Sequence, residues 1–465
     1  MNLSFLSSDW LLESKAARDL YFGYAQDAPV VDFHNHLSVE DILSDRRFGD
    51  ICSLWVAEDR YKHRAMRIAG MDESLITGDA PAHDKFVAWC SLLPRLMGNP
   101  LFHWSCLEMK RVFGIEELPC AENAEELWEH CNSLLGSEKF SNNSILRSFS
   151  TEILTTSDDI LDDVSLHGKA SAVSGIKVSP SLRADSALAF GKPSFKAFLE
   201  RLGEGSPVSD IDSYCSLLLE RISFFAANGC RLSDHALDSG FRFVKTTRDE
   251  AARIFEATLG GPAVSDADYV ALKSYVLEFL ACEYARRGWV MQLHIGAERF
   301  TSSRLREVSG AAGGYACPGN SLDLRSLCDF LDALDLQDCL PRTILYTLNP
   351  SDNAILSSLT GSFALSGCQK IQFGPAWWYN DHLCGITDNL DALSSYSVLF
   401  NSIGMTTDSR SILSFSRHEY FRRILCNYLG SMIEKGLLPR DIEFIGEAVR
   451  DISYRNSKRW IYNEQ

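Results

Sequence analysis

Short apolar, β-branched runs alternate along this chain with turn residues and helical patterns, an order that requires parallel strands joined by helical crossovers. The strand candidates are APVVDFHNH (28–36), TEILTTSDD (151–159), SAVSGIKVSP (171–180) and GCRLSDHAL (229–237). Four more follow: WVMQLHIG (289–296), RTILYTLNP (342–350), KIQFGPAWW (370–378) and NSIGMTTDSR (401–410). Between them lie amphipathic helices. One over 266–287 puts Val270, Val276, Phe279 and Leu280 on one face, with Ser265 as N-cap and Gly288 at its end. A second over 418–435 aligns Phe421, Ile424, Leu425, Met432 and Ile433, and a third spans 212–227. Eight candidates point to a closed barrel rather than an open sheet: an α/β fold, a distorted (β/α)8 TIM barrel. Residues 38–148 are too long for one crossover and rich in Trp, Glu and helical pattern. We therefore expect 1–37 and 149–465 to form the barrel, and 38–148 a mainly helical insertion that contributes to the active site. The segment 184–211, broken by Gly191, Pro193, Gly203 and Gly205, reads as loops and short helices.

With 465 residues, 46% of them apolar, a large core is available and nothing in the composition suggests disorder. A net charge of −17 opposes general nucleic-acid binding, which needs clustered Lys and Arg. It does not oppose an anionic small molecule bound where arginine or metal charge is concentrated. The fourteen cysteines form no CxxC pair and read as scattered thiols of a reducing compartment. Asp9 and Glu13 interrupt any secretory core, and no run approaches the ~18 apolar residues of a membrane helix. A cytoplasmic location is expected.

The sharpest chemical signal is His34-Asn35-His36 at the end of the first candidate strand. Side chains two apart on a strand point the same way, so both imidazoles can face one cation at the barrel mouth. Such a pair alone is equally well an ordinary strand end. His294, in QLHIG, alone reads as a structural histidine, and Asp408, in TTDSR, alone reads as a helix N-cap. Together, imidazoles at the first strand and mid-barrel and a carboxylate at the eighth are a combination chance rarely supplies. Arg183 and Arg410 stand at strand ends where guanidinium suits a carboxylate, the alternative being surface ion pairs. Tyr61 is either a packing residue or, with nearby cations mobilising its proton, an acid/base group. Of Trp377 and Trp378, one packs on the barrel and the other walls the site.

Many blocks in order make the chain resemble the uronate isomerase family of the amidohydrolase superfamily. They run from DFHNHL (32–37), YKHRAMR (61–67), GNPLFHW (98–104) and SDHALD (233–238) to EYARRGWVMQLHIGA (283–297). Then come LPRTILYTLNPSDN (340–353), QFGPAWWYND (372–381) and MTTDSRSILSFSRHEYFRRILCNYLG (405–430). The resemblance implies isomerisation of D-glucuronate to D-fructuronate and of D-galacturonate to D-tagaturonate by proton transfer through an enediol. It implies one divalent metal, zinc, on His34, His36 and Asp408, with Tyr61, His294 and Asp408 catalytic and Arg183, Trp377 and Arg410 on the substrate. Whether Tyr61 or His294 removes the proton stays open. Expected partners are a small uronate and further copies of the chain, with neither nucleic acid nor membrane. Three departures stand out: Arg60 where the family commonly has histidine, Leu182 for a larger aromatic, and Glu298 in place of an asparagine-rich run. A metal-dependent hydrolase of the same superfamily is the first alternative. It would need a bridging lysine or glutamate and further histidines, for which only His235 is at hand. A non-catalytic sugar-acid sensor is the second.

Overall fold

The structure, a computed structural model, describes residues 5–205, 208–260, 263–310, 313–364, 367 and 369–464. Seven strands form one sheet in sequence order, every neighbouring pair parallel. They are β1 (Val30–Asn35), β2 (Thr151–Asp159), β3 (Lys177–Arg183), β4 (Leu232–Leu237), β5 (Val290–Ile295), β6 (Arg342–Thr347) and β7 (Ile371–Phe373). Helices make the crossovers, and the curled sheet is that of an α/β barrel. Alternation on β5 sends Met291, Leu293 and Ile295 into the core shared with the helices, while Val290 joins a smaller cluster with Val31, Phe33, Ile344 and Tyr346. The C-terminal helix Asn456–Tyr462 adds to that smaller cluster, and the Tyr462 hydroxyl lies 2.7 Å from Thr155 Oγ1.

Three strand expectations need correction. Residues 171–174 are not strand but the end of a helix, His167–Ser174, stopped by Gly175 at φ +70°, so β3 begins only at Lys177. The seventh strand ends at Phe373, because Gly374 and Pro375 follow and proline has no N–H for the ladder. The eighth candidate, 401–410, is no strand. It runs extended beside β1, with Asp408 N–H donating to His34 O (3.0 Å) and His36 N–H to Ser409 O (2.9 Å). Left-handed backbone at Gly404 (φ +79°) and Asp408 (φ +46°) breaks the ladder. Side chains take over the pairing: buried Asp32 accepts from Thr406 Oγ1 (3.1 Å), Thr407 N–H (3.0 Å) and His418 Nε2 (3.0 Å).

Between β1 and β2, residues 39–148 contain helices and no strand among the described residues. Their caps follow composition: Asp50, Asp59, Asn99 and Ser141 each accept a backbone N–H of the first turn. Buried Lys62 ties three of these helices together, donating to Trp55 O (2.7 Å) and pairing with Asp59 (3.0 Å) and Glu108 (3.3 Å). That network fixes helix Arg60–Ile68, which carries Tyr61. The long helix Asp266–Arg286 has the anticipated Ser265 cap, closed reciprocally by Asp268. The cysteines are not all separate, since Cys282 and Cys339 are joined with Cα atoms 4.9 Å apart; a separation of 57 residues hides such a pair from spacing arguments.

Candidate active site

At the carboxyl ends of the strands a cavity of about 170 Å³ opens, and His34, His36, Tyr61, Arg183, His294, Trp377, Asp408 and Arg410 all line it. Every sequence-derived candidate is therefore brought to one place.

His34 and His36 leave β1 on the same side, their rings 5.3 Å apart. Their Nε2 atoms stand 3.2 and 3.1 Å from the same oxygen, Asp408 Oδ1. A neutral imidazole offers either a donor or an acceptor at Nε2, so the two nitrogens can hydrogen-bond the carboxylate oxygen or, turned as acceptors, close with it around a cation. The His2Asp donor set fits a divalent metal, with zinc among those it suits. The second carboxylate oxygen, Oδ2, accepts from Trp377 Nε1 at 2.7 Å, which orients the group. Burial would raise the Asp408 carboxyl, but the bonds to His34 and His36 hold it well below the usual range. The left-handed backbone at Asp408 is uncommon for a residue with a side chain, and its N–H bond to His34 O keeps it there.

His294 comes from β5 in register with Tyr346 of β6, which stacks the two rings at 4.5 Å and 4°. It also lies 4.5 Å from His34 and 4.8 Å from Trp377. Burial keeps this imidazole neutral, far below its ordinary pKa, and neither nitrogen has a hydrogen-bond partner among the described residues. It is a free acceptor facing the cavity.

Tyr61 reaches the cavity from the helix Arg60–Ile68. Its hydroxyl lies 3.0 and 3.1 Å from the two oxygens of Asp381, donating to that carboxylate, and accepts the Tyr379 N–H at 3.2 Å. Arg417 sits 5.0 Å over the ring, as a nearby cation should, yet burial and the Asp381 carboxylate raise the phenol well above its ordinary value. The proton is held, with Asp381 as its acceptor.

Arg183 donates to Asp185 (2.8 Å) and Asp234 (3.0 Å), which fix it at the end of β3. Arg410 is exposed to the cavity and has no ion pair among the described residues. His235 turns away from the site, as alternation along β4 requires, and packs on Tyr284 at 5.7 Å. Its neighbour Asp234 points in, taking bonds from Ser157 and Ser181. Asp234 was overlooked although it stands in the SDHALD block, because strand parity cannot be assigned until register is known. Asp381, Arg417 and Arg299 are likewise not marked by residue type alone: Asp381 and Arg417 stand inside the QFGPAWWYND and MTTDSRSILSFSRHEYFRRILCNYLG blocks, but only the fold brings them beside Tyr61.

A protein family described as glucuronate isomerase matches residues 2–461. A uronate isomerase of Caldanaerobacter subterraneus subsp. tengcongensis is 40% identical over 464 residues, 98% of this chain and 99% of that protein. One from Geobacillus thermodenitrificans is 43% identical over 462 residues, 98% of each chain. The crystal structure of a Thermotoga maritima uronate isomerase superposes with a TM-score of 0.93 at 33% identity, covering 98% of this chain and 99% of the other.

Proposed function

The chain belongs to the glucuronate isomerase family and is a uronate isomerase, and from that premise we propose that it converts D-glucuronate to D-fructuronate and D-galacturonate to D-tagaturonate. The observation that carries the reading is the convergence of His34, His36 and Asp408 on one point beside Arg410, an arginine with no ion pair among the described residues. Such a cavity suits a small hydroxylated acid.

In this reading one divalent cation, zinc, is held by His34, His36 and Asp408; when bound it supplies a Lewis-acid anchor for substrate oxygens. Aldose–ketose interconversion moves a proton from the carbon beside the aldehyde to the aldehyde carbon. The C–H bond breaks, its electron pair forms the carbon–carbon double bond, and the carbonyl oxygen takes up negative charge as an enediolate. His294 suits the removal, because its imidazole is neutral and unengaged. Protonated His294 can return the proton to the former aldehyde carbon. Tyr61 suits giving a proton to the former carbonyl oxygen and regaining one from the neighbouring hydroxyl, which becomes the ketone, with Asp381 orienting the phenol. Arg183, braced by two carboxylates, and Arg410 suit the permanent charge of the acid, and Trp377 walls the pocket. We extend the reading to a cytoplasmic homo-oligomer; no described helix is long and apolar enough to cross a membrane.

The test is a coupled assay with each uronate before and after chelation, alongside hydrolysis of sugar esters, lactones and amides. Ketose formation lost on chelation and restored by zinc supports the proposal. Hydrolysis without isomerisation would replace it.

A further inference from the structure

Four arginines line the cavity: Arg60, Arg183, Arg299 and Arg410. Two are already neutralised, Arg183 by Asp185 and Asp234, and Arg299 by Asp238 at 2.6 Å. Arg60 and Arg410 have no ion-pair partner among the described residues. The Nε–H of Arg60 is buried with no acceptor among the described residues. The two guanidiniums feel each other's charge; Arg410 also feels the Asp408 carboxylate and, less strongly, the exposed Glu58, and is ion-paired with neither among the described residues. A buried donor without an acceptor, beside a second unneutralised cation, is costly in the free protein and favours an anion placed between them.

A uronate brings one fixed carboxylate, and the permanent charge of that group suits Arg183 and Arg410. The isomerisation then creates a second negative charge. When the proton leaves the carbon beside the aldehyde, the electron pair enters the new carbon–carbon double bond and the former carbonyl oxygen becomes an oxyanion. The reacting molecule is a dianion only at this stage. An extra guanidinium matched to it stabilises the intermediate more than the substrate, which is the condition for accelerating the chemical step.

We propose that Arg60 receives the enediolate oxygen while Arg410 holds the fixed carboxylate, a two-cation cradle that makes Arg60 a further catalytic residue and the cavity selective for dianionic sugar acids over monoanionic ones. The proposal rests on the isomerase reading given above. Its placement follows from the helix that Lys62 locks in position: Asp59 caps it, Arg60 opens it, and Tyr61 follows, so cation and phenol reach the cavity from one rigid turn.

Calorimetric titration of the zinc-loaded protein at low salt tests it without turnover. The probes are glucarate, a sugar diacid that mimics the dianion, and gluconate, its monoacid counterpart. We expect glucarate to bind about tenfold or more tightly than gluconate, as charge-assisted hydrogen bonds of this kind are worth. Raising the salt should narrow that gap. In Arg60→Met, glucarate should weaken by about tenfold with gluconate unchanged, while kcat on uronates falls and KM hardly moves. Arg60→Lys should recover part of both losses, and a thermal melt matching the parent shows that the helix persists. Equal binding of the two acids by the parent protein, or unchanged glucarate affinity in both variants, would overturn the cradle. A parent that binds glucarate selectively yet leaves uronates unisomerised would instead overturn the functional reading alone.

Discussion

Trp377 donates its indole N–H to Asp408 Oδ2 at 2.7 Å, while the other oxygen of that carboxylate faces His34 and His36. The tryptophan thus aims a group whose backbone sits in a left-handed conformation. It is a wall of the cavity and an orienting donor at once.

Trp377→Phe keeps the aromatic wall and removes the donor. Loss of an outer partner to a ligating group typically costs 10–100-fold in metal affinity. We expect a weakening of about that size in competition titrations against a zinc chelator, with the melting temperature little changed. Unaltered affinity would remove the orienting role.

His294→Asn and Tyr61→Phe separate the two proton-handling roles. Each should lower kcat by about 10²–10⁴-fold. Only the His294 variant should lose exchange of the substrate's carbon-bound hydrogen with deuterium from the solvent, because that exchange reports removal and not delivery. Full activity in both variants would exclude them from the chemistry.

Lys62→Met leaves Asp59 and Glu108 buried without their cation. Breaking one partner of a buried ion network costs about 3–5 kcal/mol. Urea unfolding should show a loss of that order, and the double variant Lys62→Met with Glu108→Gln should recover part of it. A midpoint equal to the parent's would show that the network contributes nothing to stability.

Acid should destabilise the fold through His63. Burial holds its pKa down at about 4 against an ordinary value of 6.5. The unfolded chain therefore binds a proton between these values that the folded chain refuses, so stability is complete above pH 6.5 and declines as pH falls toward 4. A shift of this size corresponds to on the order of 3 kcal/mol at most. Urea midpoints at pH 7.5 and 5 should differ less in His63→Phe than in the parent; an equal difference would assign the acid sensitivity elsewhere. His235, held down for the same reason, should contribute in the same direction.

Much of the architecture is legible along the chain. The run 151–159 is a strand over its full length, and Ser265 with Gly288 brackets the long helix correctly, because period and capping are local properties. The third strand was misjudged because SAVS continues a helix whose stop, Gly175, is equally at home in a strand turn. The 401–410 run reads as a strand because β-branched Ile403, Thr406 and Thr407 precede turn residues. Its hydrogen bonds go to Asp32 and to the backbone of β1 in a pattern visible only once both segments are adjacent.

The histidines on β1, the arginine at the end of β3 and the tryptophans after β7 are set by local pattern, since strand alternation and strand ends are written in neighbouring residues. Which oxygen of Asp408 faces His34, that Asp234 rather than His235 faces His34 and His294, that Asp381 holds the proton of Tyr61, and that Arg60 has no ion pair among the described residues were all decided by tertiary structure. Each depends on register and on helix placement between segments tens to hundreds of residues apart. Charge and hydrogen-bond partnership belong to neighbours in space, and the linear order of the chain does not specify them.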